Sequence, residues 1–375
     1  MANLDSYQFD NRLAFAYERD LFKTFHREPP GRLNLQSRNR AHKRISMKAK
    51  LPSIIFMLVL TLSAIVKSPD VGALTIKVGY PQLSGGSMPL WIINEAKLDR
   101  RYGVDINSIY VPGGARLTQS LIAGDVDIAL TGGAVVTANL SGADLTYVAI
   151  GLSTYGFYVY AKPEIKEVRD LSGKILGVIT KGASSDHAAI ALIRRYGMRE
   201  GQDVKFLYFS RQEDLLAAMN QGIVPAGVLT CPTNIMAQRL GFKELVDISS
   251  FKLPYPHNAV ATRRPLARQN PDLFRGFLKS YLAAIKIIHE EPEVAKGALR
   301  RHFGSKDPEM VDDAYRRLQA LFLKVPYMPE EAIRSVLAVS DHPRASAANP
   351  KDFFDNRILK ELDDTGFVKE LYSQR

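Results

Sequence analysis

The stretch Leu117–Gly133, LTQSLIAGDVDIALTGG, decides the fold. Leu117, Leu121 and Ile122 share one face at helical spacing, so the first half closes an amphipathic helix. Gly124 is placed to end that helix, because glycine enters the left-handed conformation of a C-cap without strain. Asp125–Leu130 then forms a short apolar strand that runs into Thr131-Gly132-Gly133. That glycine loop opens the next helix, whose first N–H groups have no partner within it. The order is helix, buried strand, open loop, helix. Open α/β sheets bind ligands at such strand ends, although the unit by itself fits any α/β protein.

Outward from this unit the same order repeats. Toward the N-terminus lie strand Leu74–Tyr80, the loop around Ser84–Ser87, helix Pro89–Ala96 and strand Val104–Val111. Pro112-Gly113-Gly114-Ala115-Arg116 opens the helix of the deciding stretch. Toward the C-terminus come helix Val135–Leu140 and strands Leu145–Gly151 and Phe157–Ala161. After Lys162-Pro163 and a charged stretch, a second array starts at Gly173. It runs through the loop Lys181–Ser185, helix Ala188–Tyr196, strand Val204–Phe209, helix Asp214–Asn220, strand Ala226–Leu229 and the loop Thr230–Thr233. The expected class is α/β: two doubly wound lobes, divided near residue 165. The remaining chain reads as helices, Pro271–Glu290, Pro292–His302, Pro308–Lys324 and Pro329–Ser340, several opened by proline as helix starts allow. This helical tail is expected to pack on the first lobe.

The chain has 375 residues and a formal charge of +11, with much of the basic excess in its first fifty positions. No zinc-finger spacing, aromatic-studded basic stripe or helix-turn-helix accompanies that charge, so nucleic acid is not an expected partner. Residues 1–46 show no sustained periodicity and read as a disordered or untranslated extension. Met47 begins a signal-peptide order: Lys48 and Lys50, an apolar run Leu51–Val66, then Val71-Gly72-Ala73 for cleavage. The expected mature chain starts at Leu74 and is periplasmic; the alternative is a membrane anchor at residues 51–66, which is short for a span. Cys231 is the one cysteine and reads as a small buried residue rather than a nucleophile. His187 and His257 lack partners at metal-ligand spacing, and no nucleophile elbow, phosphate loop or dinucleotide fingerprint occurs. Neither a metal nor a cofactor is expected.

At this point the residues resemble a family. IKVGYPQLSGGSMPLWIINEAKL, VDINSIYVPGG, LIAGDVDIALTGG, GADLTYVAIG, VRDLSGKILGVITKGASSD and the DV…LLAAMNQGIVPAGVL stretch occur in order over about residues 75–290. The chain resembles substrate-binding proteins of ABC importers, in the group that binds sulfonates, taurine, nitrate and thiamine pyrimidines. The resemblance implies the type II periplasmic-binding fold, a ligand trapped between two lobes, and permease and ATPase partners at the inner membrane. It implies crossings near Ala161–Arg169 and Pro254–Thr262. The first lobe is then 74–162 plus the return 258–375, and the second 163–257. Many relatives carry an acidic residue where this chain has Cys231, a departure that speaks against a cationic ligand.

The loops carry the site chemistry. Ser84, Gly86 and Ser87, Gly114 and Arg116, Thr131, Gly132 and Gly133, Lys181, Ser184 and Ser185, and Thr230 and Cys231 lie where strands end. Several loops open helices, whose free N–H groups and positive dipole ends suit an anion. Arg116 and Lys181 could pair with its charge, while each hydroxyl could equally cap its own helix. Tyr155, Phe157 and Tyr255 fall at strand ends or crossings, and His257 lies near a loop; such aromatics stack on an organic ligand or simply fill a core or rim. The expected protein is not an enzyme. It captures a small organic or inorganic anion and passes it to an importer. The alternatives are an enzyme on the same fold related to thiamine-pyrimidine synthesis, a receptor for a pyrimidine precursor, and a sensor signalling to a partner in trans.

Overall fold

Strand, glycine loop and amphipathic helix alternate from Leu74 onward, and the central apolar runs, such as Ile128–Thr131 and Ala226–Leu229, become buried strands. The structure is a computed structural model that describes residues 74–373. The N-terminal extension and the signal or anchor segment expected above lie outside the described residues. Among the described residues, no helix is long and apolar enough to cross a membrane.

The first array comprises β1 (Leu74–Tyr80), α1 (Met88–Ala96), α2 (Leu98–Arg101), β2 (Val104–Tyr110), α3 (Gly114–Ala123), β3 (Ile128–Thr131), α4 (Ala134–Leu140) and β4 (Leu145–Ala149). Gly124 ends α3 in the left-handed conformation (φ 86°), as its position predicts. After β5 (Leu152–Thr154), the second array contains β6 (Tyr158–Ala161), β7 (Ile175–Ile179), α5 (Ser184–Arg195), β8 (Lys205–Phe209), α6 (Gln212–Asn220), β9 (Ala226–Leu229), α7 (Thr233–Arg239) and β10 (Lys243–Asp247). The chain then returns through β11 (Pro254–His257) and β12 (Ala259–Arg263).

One sheet has the order β2-β1-β3-β12-β4 and the other β8-β7-β9-β6-β10. The two orders are equivalent. In each, the strand that follows a crossing inserts antiparallel beside the array's third strand: β12 against β3 (Ala259 opposite Thr131) and β6 against β9 (Tyr158 opposite Leu229). The crossings pair with each other in a separate antiparallel ribbon of β5 and β11, with Pro254 opposite Thr154 and His257 opposite Leu152.

This corrects the expected first crossing. Tyr158–Ala161 is fully buried and bonded to β9 and β10, so it belongs to the second sheet, and the crossing lies at β5 rather than at Ala161–Arg169. An apolar run reads as a buried strand without revealing which sheet accepts it. The second expected crossing, Pro254–Thr262, holds β11 and most of β12.

The tail comprises α8 (Arg264–Gln269), α9 (Pro271–Glu290), α10 (Pro292–His302), α11 (Pro308–Leu318), α12 (Glu330–Val339), α13 (Arg357–Asp364) and α14 (Phe367–Ser373). Buried Phe274, Phe277, Leu278, Tyr281, Leu282 and Ile285 form one stripe of α9 that packs against α1 of the first lobe. The tail also reaches the crossings and the second lobe. Helix α12 lies on β11, and the Ile150 N–H donates to the Pro326 carbonyl at 2.8 Å. Arg317 at the end of α11 pairs with Glu244 of β10 at 2.9 Å and lies over the Tyr158 ring at 4.7 Å. Arg239 of α7 pairs with Asp307, which caps the start of α11.

Both groups of the Arg317–Glu244 pair are partly exposed, so its contribution is screened, about 1 kcal/mol or less. Arg317→Ala also removes the ring contact. It should lower the thermal midpoint slightly, and the difference should shrink in 0.5 M NaCl. Equal midpoints at low salt would show that the tail's charge contact carries no net energy.

Candidate ligand-binding site

Where the strand ends of the two sheets face each other, the chain leaves an open cleft of about 670 Å³, counting its solvent-filled mouth. The first lobe supplies Pro81–Ser84, Tyr110, Gly113, Gly114, Thr131 and Gly132. The second supplies Ile179, Ala183–Ser185, Ser210–Glu213, Thr230 and Thr233, and the crossings add Phe157, His257 and Asn258. Four helices begin at the cleft: α3 at Gly113–Gly114, α5 at Ala183–Ser185, α6 at Arg211–Glu213 and α7 at Thr233. Their first N–H groups are free of helical partners, and their positive dipole ends face the same space.

The expected residues divide into two sets. Ser84, Gly114, Thr131, Gly132, Ser184, Ser185, Thr230 and His257 line the cleft. Gly86, Ser87, Arg116, Gly133, Tyr155, Lys181 and Cys231 stand outside its lining. Arg116 is exposed because α3 turns Leu117, Thr118 and Leu121 inward and leaves Arg116 on the solvent side. Lys181 is exposed as well. The Ser87 hydroxyl donates to the Gln82 carbonyl at 3.3 Å. Gly86 leaves room for Asn258: a Cβ there would stand 2.3 Å from Asn258 Nδ2.

Several expected hydroxyls are already engaged. Ser185 Oγ accepts from the Ile179 N–H at 2.9 Å and donates to the Ile179 carbonyl at 2.8 Å, tying the end of β7 to α5. Thr131 Oγ1 donates to the Gly114 carbonyl at 3.3 Å, and Thr230 Oγ1 to the Gly156 carbonyl at 3.3 Å. Gly133 was expected to offer its N–H to a ligand. It donates instead to the Tyr255 hydroxyl at 2.9 Å, and that hydroxyl lies 3.0 Å from His187 Nδ1. Tyr255 stacks on Tyr155 at 4.0 Å, so both tyrosines fill the lobe junction rather than the cleft. The Cys231 side chain is fully buried and burial pushes its thiol up, while its carbonyl accepts from the Gly85 N–H across the two lobes at 3.4 Å.

The chemistry missed in the sequence comes from Asn258 and from Ser210-Arg211-Gln212. Arg211 sits at the mouth, half exposed and paired with Asp214 at 3.2 Å. Gln212 is buried and accepts from the Thr230 N–H at 3.2 Å. The end of β8 is the topological equivalent of the loops that were recognised, and that position was the available signal. Asn258 holds φ at 48°, a conformation asparagine tolerates better than most residues.

Two buried histidines stay neutral. Burial pulls His187 down to about 4. Burial pulls His257 down to about 3, against a smaller opposing effect of the Thr154 carbonyl. His257 Nδ1 accepts from the Gly156 N–H at 2.9 Å, and its ring stacks on Phe157 at 4.6 Å. Asp186 in the first turn of α5 is raised by burial, which outweighs the Gly182 N–H and the Tyr208 hydroxyl that favour its charge. Among the described residues no cluster of three histidine, cysteine or acidic side chains could hold a metal ion.

Two lobes of this strand order, joined by a two-strand crossing and facing each other over helix starts, define the type II periplasmic-binding fold. The chain belongs to the NMT1/THI5-like family, which it matches over residues 100–295. A protein of Brachyspira hyodysenteriae, provisionally named an ABC transporter periplasmic binding protein, is 24% identical over 76% of this chain and 84% of its own length. The periplasmic aliphatic sulphonate-binding protein of Escherichia coli superposes with a TM-score of 0.61 at 22% identity, covering 76% of this chain and 96% of the other. The periplasmic nitrate-binding protein of Synechocystis PCC 6803 gives a TM-score of 0.61 at 13% identity, covering 78% and 89%. At these identities the two solved structures establish the fold alone.

The histidines set a pH dependence. Their folded pKa values lie below the unfolded value of about 6.5, so between about pH 4 and 6.5 the unfolded chain binds more protons. Stability from these rings is complete above about pH 6.5 and falls on acidification, by up to about 1.4 kcal/mol per pH unit for each ring. The thermal midpoint should therefore drop between pH 7 and 4.5. His187→Gln keeps an acceptor for Tyr255 and should flatten that drop. An unchanged slope in the variant would remove His187 from the account. Gly132→Ala should disturb the cleft directly, because its Cβ would stand 2.1 Å from Ser184 Oγ and 3.1 Å from the Pro256 carbonyl.

Proposed function

We propose that this protein is an exported solute receptor of the ABC-importer type. It captures a small organic or inorganic anion of the sulfonate, taurine or nitrate kind and presents it to a permease and its ATPase. The observation that carries the reading is the convergence of helix starts from two lobes on one cleft. Family membership and the names of the relatives agree with it. The only cation in the lining, Arg211, is answered by Asp214 and Glu213, so attraction for the anion comes mainly from backbone and side-chain dipoles. On this reading the first lobe comprises residues 74–153 and 258–373, the second comprises 155–254, and the β5–β11 ribbon is the hinge. Residues 47–73 are the export signal. Chemistry on a substrate is the weaker reading, since the single cysteine is buried with its thiol pushed up and no other nucleophile–base pair lines the cleft among the described residues.

Dialysed protein should gain thermal stability with at least one of methanesulfonate, taurine, nitrate or acetate. Small-angle scattering should show a smaller radius of gyration at saturation, as closure about the ribbon requires. No shift with any anion, together with a neutral or cationic compound released from the native protein, would overturn the anion assignment. N-terminal sequencing of periplasmic material should begin at or within a few residues of Leu74; retention of residues 51–66 in the membrane fraction would mean an anchor instead.

A further inference from the structure

Three residues lining the cleft are almost wholly buried, yet each leaves a side-chain polar atom without a hydrogen-bond partner. They are Ser84 Oγ, His257 Nε2 and Asn258 Nδ2, on residues 2%, 1% and 3% exposed. Buried polar atoms are normally paired, and the neighbouring Ser185, Thr131 and Thr230 obey that rule. The three also lie together. His257 and Asn258 are consecutive, and the Asn258 amide rests against Gly86, two residues from Ser84. The Leu152 side chain packs beneath both Gly86 and Gly156, and the Gly156 N–H holds the His257 ring. Together they floor the cleft, where a first-lobe loop meets the crossing.

Their chemistry is that of donors. Gly156 donates its N–H to His257 Nδ1, so that nitrogen carries no proton and the neutral ring keeps its proton on Nε2. The stack on Phe157 holds the ring in that orientation. Asn258 Nδ2 carries two N–H groups and Ser84 an O–H. No cation stands among them: Arg116 and Lys181 are outside the lining, and Arg211 is at the exposed mouth.

Resting on the anion-receptor reading above, we propose that Ser84, His257 and Asn258 are the subsite that seats the ligand's oxyanion headgroup. They hold it by neutral hydrogen bonds rather than by an ion pair. The headgroup supplies acceptor oxygens that satisfy all three orphaned donors at once, and the starts of α3 and α5 add their dipoles. A ligand offering a donor or an ammonium at this end is rejected, because it would leave the three donors unpaired and add unpaired groups of its own.

The test is calorimetric titration of dialysed full-length protein with methanesulfonate, taurine, nitrate and acetate. Ser84→Ala and Asn258→Gly remove atoms that make no internal bond, and glycine accepts the backbone conformation of Asn258. Each should weaken the best probe about tenfold, and the two together by tenfold to a hundredfold, with the thermal midpoint of the free protein nearly unchanged. His257→Phe should weaken it similarly while keeping the stack on Phe157. It also deprives Gly156 of an acceptor, so the first two variants decide the matter. The double variant Arg116→Ala, Lys181→Ala should bind as the parent does. If the parent binds a probe and the floor variants bind it equally well, the subsite is wrong and the receptor reading stands. If the Arg116, Lys181 variant loses the affinity instead, an ion pair holds the headgroup and the proposal falls. If the parent binds none of the anions, the anion reading fails and the subsite with it.

Discussion

The hydroxyl of Tyr255 is the contact on which the arrangement of the lobes depends. Tyr255 lies on the second crossing, and its oxygen accepts from Gly133 at the start of α4 in the first lobe. It stands within hydrogen-bond reach of His187 on α5 of the second lobe. Having accepted from Gly133, the phenol can give its one proton to His187 Nδ1, which suits the neutral ring that burial enforces. Ser184 and Gly133 both favour the phenolate, but burial dominates and pushes the phenol up. A single buried oxygen therefore serves both lobes and the hinge. The glycines around it follow from this need for space. A Cβ on Gly133 would stand 2.4 Å from His187 Nδ1, and one on Gly132 would meet Ser184 and the Pro256 carbonyl. Glycines read in the sequence as making way for a ligand thus make way, at Gly133, for a tyrosine and a histidine.

That exchange shows what a sequence reveals of such a protein. The class of fold was legible because strand, glycine loop and helix recur with their caps in place, as at Gly124 and at the prolines that open α9, α10 and α11. The sheet that takes each strand was not legible. β6 and β12 are apolar runs like their neighbours, and only long-range pairing puts each beyond the crossing it follows. Loops at strand ends were found because topology confines them to one rim. Side-chain direction was not, so Arg116 and Lys181 looked like ligand cations, while the unregarded Asn258 and Gln212 line the cleft. Hydroxyls such as Ser185 are absorbed instead by the backbone at the end of the preceding strand.

The electrostatics of the cleft follow from where the acids lie. Glu213 and Asp214 stand in the first turn of α6 and Asp186 in that of α5, each answering part of its helix dipole. Asp186 is tethered to Gly182 and shares the Tyr208 hydroxyl with Glu200, at 2.9 Å for each carboxyl. A phenol has one proton, so the two carboxyl groups cannot both accept it, and burial favours a proton on Asp186.

The tail changes what hinge motion requires. Two strands alone would leave the lobes free to swing, but β5 is bridged to Phe322 and β11 carries α12 on its flank. Arg317 then reaches from α11 to Glu244 and Tyr158, and the Arg194 guanidinium donates to the Ala338 carbonyl at 3.0 Å. The tail is built on the first lobe, through α9 and α1, so opening the cleft must break these second-lobe contacts or bend the tail with them. They are charge contacts at half-exposed positions, weak singly and replaceable by water. The tail's apolar contacts reach both lobes: α12 packs on α5 of the second lobe as well as on β11, and burial makes such contacts costlier to break than the charge contacts.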